Sequence, residues 1–153
     1  MSMVQEQIDV DVPLSTAYNQ WTQFEDFPRF MEGVKQVTQL DDRHNHWTTK
    51  VARVTREFDT EIVDQLPDQK IAWRTTGGEV QQMGVVTFER LNDQRTTVRL
   101  AIDFEPDGVA ERAADAMGMV DRRVKGDLRR FKSFIEDHGA EEGGWRGRIT
   151  PGG

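Results

Sequence analysis

Few side chains in this sequence are suited to chemistry. Arg56 alternates with Phe58 and Thr60 in a strand-like run and shares their inward face, where a fixed guanidinium can stabilise charge developing on an oxygen. Its plainer role is at a mouth, with the stem buried and the head in water. His44 and His46 stand two apart, which suits metal ligation from one strand face, but their parity is opposite to that of Trp47, so they are expected on the surface. The chain has no cysteine, no G-x-S-x-G serine, no H-E-x-x-H helix and no glycine-rich phosphate loop. Neither a metal nor a cofactor is expected, and no inward Asp, Glu or His stands out as a general base.

Such side chains need a frame, and the longest element is a helix. Val109, Ala113, Ala116 or Met117, Val120, Val124, Leu128, Phe131 and Ile135 recur every three or four positions, which predicts one helix over Asp107 to His138 with Asp107 as N-cap, Glu111 in the first turn and Gly139 beyond its end. Its apolar stripe must lie on something, and what precedes it reads mostly as strand. Residues 3–12 alternate as a first strand. Ser15 is the expected N-cap of a short helix carrying Leu14, Ala17, Tyr18 and Trp21; a second holds Phe24, Phe27, Phe30 and Met31, with Pro28 near its start and Gly33 ending it. Six further strands are expected at 34–41, 44–52, 55–64, 70–76, 80–91 and 95–105, broken at Asp41-Asp42, near Arg53, at Pro67-Asp68, Gly77-Gly78 and Asn92-Asp93.

Matching strand parities gives an inward set with an unusual character. Trp47, Phe58, Trp73 and Phe88 share the inner face with Thr49, Arg56, Thr60, Thr75 and Gln82, polar groups that are costly to bury dry and unpaired. A partly hydrated cavity between sheet and helix resolves the conflict, although threonines bonded to backbone or solvent would also do so. Met117 on the long helix is taken as a further wall, while Met31, Met83 and Met119 are read as gap fillers.

The 153 residues make one domain, expected over 1–138, followed by a glycine-rich, disordered tail over 139–153 in which Trp145 stands isolated. Net charge is −7 at pH 7, which disfavours nucleic acid as a partner. The basic run Arg122, Arg123, Lys125, Arg129, Arg130 and Lys132, interrupted by Asp121 and Asp127, reads as a solvated helix face. With no long apolar run, no signal-like N-terminus and no cysteine, the expected setting is the cytoplasm, without integral membrane association.

The stretches "IDVDVPLSTAYNQWTQFEDFPRFMEGV" from Ile8 to Val34, "PDQKIAWRT" from Pro67 to Thr75 and "GVVTFERL" from Gly84 to Leu91, set in this order of elements, resemble the START-like helix-grip superfamily. Within it the likeness is to the bacterial polyketide cyclase/dehydrase and coenzyme-Q-binding START families, over about residues 3–138. The resemblance implies an α+β fold: a seven-stranded antiparallel curved sheet, two short helices after strand one, and a long C-terminal helix across the sheet with a cavity between. It also implies that the protein binds or carries a hydrophobic small molecule such as a lipid, a quinone or a polyketide-like compound. Two alternatives remain, a polyketide aromatase/cyclase or dehydratase using the same cavity and, more weakly, a protein-interaction module whose pocket is filled by side chains. In aromatase and cyclase relatives, cavity arginines and a tyrosine orient the polyketide chain, which makes Arg56 and Tyr18 the catalytic candidates, although Tyr18 sits at core spacing. The expected ligand-binding set is Trp47, Thr49, Arg56, Phe58, Thr60, Trp73, Thr75, Gln82, Phe88 and Met117. A homodimer stays open.

Overall fold

Alternating apolar and polar residues, punctuated by turn formers, build one antiparallel sheet from most of the chain. A computed structural model describes residues 2–51, 53–78, 81–104, 113–138 and 146–149. Its strands are β1 (Ser2–Val10), β2 (Val34–Gln39), β3 (His44–Val51), β4 (Val54–Leu66), β5 (Lys70–Gly78), β6 (Gln82–Asn92) and β7 (Arg95–Phe104). They lie in the order β1-β7-β6-β5-β4-β3-β2. The two strands nearest the N-terminus therefore form opposite edges, and β1 pairs with β7 from Ser2 opposite Phe104 to Val10 opposite Thr96.

Between β1 and β2 run the helix α1 (Leu14–Trp21) and a 3-10 helix (Phe24–Arg29). Two details differ from expectation. The N-cap of α1 is Pro13, which has no side-chain acceptor to offer, and Ser15, already inside the helix, donates its hydroxyl to Asp68 Oδ2 at 3.1 Å. Pro28 lies inside the 3-10 helix near its end, where a missing N–H is tolerated in so short a piece. Trp21 and Phe30 then meet Phe131 of the long helix α2 (Ala113–His138), and Phe27 packs on Trp21, with ring centroids 5.2 to 6.0 Å apart along Trp21–Phe27, Trp21–Phe30, Trp21–Phe131 and Phe30–Phe131. Val124, Leu128, Phe131 and Ile135 are buried at helical spacing, so the stripe read from the sequence does face the sheet. The expected start of that helix at Asp107, with Val109 and Glu111, and the Gly139 cap lie outside the described residues.

The Gly77-Gly78 turn is a correction: both glycines belong to β5, opposite Asp59 and Phe58. Gly78 has φ 105°, and a Cβ there would stand 2.5 Å from the Glu57 carbonyl oxygen, so the pair marks a close backbone approach. The wholly disordered tail is a second correction. Ile149 is buried and exchanges both backbone hydrogen bonds with Gln65 of β4, at 2.7 and 2.9 Å. Arg146 bonds Asn19 and Asp68 and lies over the Tyr18 ring at 5.6 Å. A single apolar residue on an extended backbone is enough to dock, and it leaves no periodic trace.

Candidate functional site

A cavity of about 420 Å³ opens between the inner faces of β3 to β7 and the flank of α2. The strands set its wall through their period of two. Trp47 lies opposite Phe58, Thr49 opposite Arg56 and Ile62 opposite Trp73, so each inward residue has an inward neighbour across the ladder. Trp47 and Phe58 stack with centroids 5.8 Å apart and planes 9° apart, and the Trp47 indole N–H donates to Thr60 Oγ1 at 2.8 Å. Gly84 faces Trp73, and a Cβ there would fall 2.4 Å from the Trp73 ring, so its lack of a side chain makes room for the indole.

A gradient of burial runs along these strands. On β4, Val54 is exposed, Arg56 half-buried, and Phe58, Thr60 and Ile62 buried; on β3, Thr49 and Trp47 are half-buried and Asn45 is buried. The mouth is thus at the β3–β4 hairpin, bordered on the helix by the exposed Met119. Deeper in the lining, Trp21 Nε1 and Asn45 Oδ1 are buried polar atoms without a hydrogen-bond partner in the protein, which costs stability.

The helix supplies two charges that the alternation of strands could not reveal. Arg123 and Asp127 both line the cavity. At 3.6 residues per turn they lie about 100° to 140° round α2 from Leu128, on the flank of the apolar stripe. Burial lowers the pKa of the Arg123 guanidinium, and the charge of Asp127 opposes that. Burial raises the pKa of the Asp127 carboxyl; the Arg130 guanidinium, which bonds to it, and the backbone N–H of Glu32, at 3.3 Å, pull it back. The expected solvated basic face holds at the exposed Arg122, Lys125 and Arg129 and is corrected at three positions: Arg123 turns to the cavity, Arg130 donates to the Phe30 carbonyl at 3.0 Å, and Lys132 donates to the Asp9 carbonyl at 3.1 Å. The expectation of no inward acid fails at Asp127 for the same reason.

Of the ligand set expected from the sequence, Trp47, Thr49, Arg56, Phe58, Thr60, Trp73 and Gln82 line the cavity. Three do not. Thr75 accepts the backbone N–H of Gln82 at 3.2 Å, and Phe88 lies edge-on to Tyr18 at 5.5 Å in the closed core under α1. Met117 is 37% exposed and lies outside the lining. Tyr18 is also outside the lining, fully buried, and accepts a hydrogen bond from Gln65 Nε2 at 3.1 Å. Burial raises its pKa, so it is a core phenol and not a cavity acid. His44 and His46 sit on the outer face, paired with Asp41 and with Asp59 and Glu57.

Comparison with known proteins agrees with this architecture. A START superfamily protein from Mycobacterium smegmatis superposes with TM-score 0.81 at 13% identity, over 89% of this chain and 98% of that one. The Zhui aromatase/cyclase from a Streptomyces species gives TM-score 0.76 at 18% identity, over 94% and 99%. In sequence, an uncharacterized 17.2 kDa protein of Streptomyces lincolnensis is 56% identical over 149 residues, 97% of this chain and 99% of the relative. Among the described residues no helix is long and apolar enough to cross a membrane. Residues 10–132 match the family described as polyketide cyclase / dehydrase and lipid transport, and it is to this family that the chain belongs.

Proposed function

We propose that this protein binds an apolar small molecule in the cavity between sheet and α2 and carries it unchanged. The observation that supports this reading is the cavity itself: about 420 Å³ of space walled by Trp47, Phe58, Trp73 and Ile62 in a chain that fills the rest of the sheet's inner face with side chains. That volume falls within the roughly 300–1,000 Å³ of small-molecule sites. An interaction module with a filled pocket would not leave it. The stacked aromatic wall suits a flat or elongated apolar body, such as a lipid, a quinone or a polyketide-like ring system. A neutral fluorophore, N-phenyl-1-naphthylamine, should bind with quenching of tryptophan emission, and Thr60→Trp should block it while the fold survives. No binding, together with no effect of Thr60→Trp on binding or stability, would sink the reading.

One observation favours a cyclase or dehydratase as the second reading. Asp127, with its carboxyl pushed up by burial, lines the same cavity as Arg56, so a proton-transfer group and a fixed cation face one space. For an enzyme acting on a linear polyketone, Asp127→Asn should lower turnover more than affinity; for a carrier there is no turnover to lose.

A further inference from the structure

Resting on the reading of the cavity as a ligand site, we propose that its ligand is an apolar alcohol or phenol, whose hydroxyl group docks at the closed end of the cavity between Asn45 of β3 and Thr60 of β4. The two residues are direct partners across the ladder, both line the cavity, and each is 1% exposed. Side chains so placed on one face have Cβ atoms roughly 4.5–5.5 Å apart, close enough for one oxygen to bond to both. Asn45 Oδ1 has no hydrogen-bond partner in the protein, and a carbonyl oxygen can only accept. Thr60 Oγ1 accepts the Trp47 indole N–H at 2.8 Å, which holds the oxygen in place and leaves the hydroxyl its own proton to give.

That pair of groups selects among ligand oxygens. A hydroxyl accepts the Thr60 proton and donates its own to Asn45 Oδ1, whereas a ketone, quinone or ether oxygen serves Thr60 and leaves the amide oxygen facing a lone pair. A hydrocarbon serves neither. Water can serve Asn45 before the ligand arrives, and a hydroxyl restores the bond that the displaced water made. Trp21 Nε1, the other buried atom of the lining without a partner in the protein, is a donor and can meet any ligand oxygen, so the discrimination falls to Asn45. The apolar body of the ligand then extends towards the mouth. The stacked Trp47 and Phe58 are the next inward pair, two residues or roughly 7 Å along the strands, and Thr49 with Arg56 is the pair after that. The ligand therefore enters hydroxyl first and lays its body along the aromatic wall.

The test is displacement of bound N-phenyl-1-naphthylamine by 4-butylphenol, 4-butylanisole and 4-butyltoluene, probes of similar shape whose variable end donates and accepts, only accepts, or does neither. With each affinity divided by the probe's own octanol–water partition coefficient, the phenol should bind about tenfold tighter than the other two, as for one neutral hydrogen bond to a buried acceptor. Asn45→Leu should abolish that preference while leaving 4-butyltoluene affinity undiminished, a control that also reports a folded cavity. Thr60→Ser, which keeps the hydroxyl, should retain the preference, and Thr60→Val should cut it several-fold. Equal corrected affinities for phenol and anisole, or a preference that survives Asn45→Leu, would overturn the inference and leave the cavity reading standing. Should Asn45→Leu fail to fold, Thr60→Val decides, and an undiminished preference there overturns the inference. Failure of all three probes to displace a fluorophore that does bind would overturn it as well. A protein that binds neither fluorophore nor probe defeats the cavity reading itself.

Discussion

The inner face of the sheet is solid at one end and hollow at the other, although both ends are built from the same strands. Under α1, Phe88, Val98 and Tyr18 are buried against one another and against the Ile149 strap. Under the first half of α2, Trp47, Phe58 and Trp73 face open space. The buried Ala17 and Tyr18 of α1 fill the first end, whereas at the second Trp21, Phe24 and Phe27 share the wall with α2, which turns Arg123 and Asp127 towards it. A large aromatic is thus not in itself a sign of core or of pocket; what lies across from it decides.

The contrast can be tested by substitution. Phe131→Ala at the solid end should cost about 3 to 5 kcal/mol, since Phe131 is fully buried against Trp21 and Phe30; a smaller shift in the denaturation midpoint would mean that this end too can collapse around a void. Ile149→Ala should cost about 2 kcal/mol, the low end for a buried isoleucine because the strap can retreat, and urea unfolding would measure it. At the hollow end the sign reverses. Asn45→Leu removes a buried amide oxygen without a partner, so stability should rise by about 1 kcal/mol, and a fall in Tm would place a satisfied structural amide there.

The smallest effect is expected on the outer face behind the cavity. Hydrogen bonds to Asp59 at 2.7 Å and Glu57 at 3.1 Å raise the pKa of His46 above its ordinary value. The unfolded chain has the ordinary value near ~6.5, so the stabilisation is full below that pH and fades as pH rises through the higher folded value. The Tm gap between the protein and His46→Gln should therefore be wider at pH 5.5 than at pH 8.5; a constant gap would show that the contacts are lost in solution.

The strands were legible because a period of two leaves little choice of face: once Val98, Leu100, Ile102 and Phe104 are set inward, the register places the inner residues of β6, including Val86 and Phe88, on the same side. The same period sets Arg56, Thr60 and Trp73 on the inner face from sequence alone. Asn45 has the parity of Trp47, but its place between two histidines at the start of the strand hides that inward face. Arg123 and Asp127 escaped because a helix has flanks as well as faces, and charge on a flank is read as surface until the opposite wall is known. The Ile149 strap and the continuation of β5 through Gly77-Gly78 depend on tertiary contacts with β4, which local patterns do not encode.

The pairing of β1 with β7 sets a time order on folding. Residues 2–10 have no sheet partner until Arg95–Phe104 is available, while β2 through β7 join neighbour to neighbour along the chain. During synthesis the N-terminal strand must therefore wait, its apolar Val4, Ile8 and Val10 uncovered, until nearly all of the sheet has left the ribosome. Closing so long a loop before any contact rewards it makes this the slow step of refolding, and mutations in β1 should accelerate unfolding while leaving the refolding rate of the β2–β6 meander unchanged.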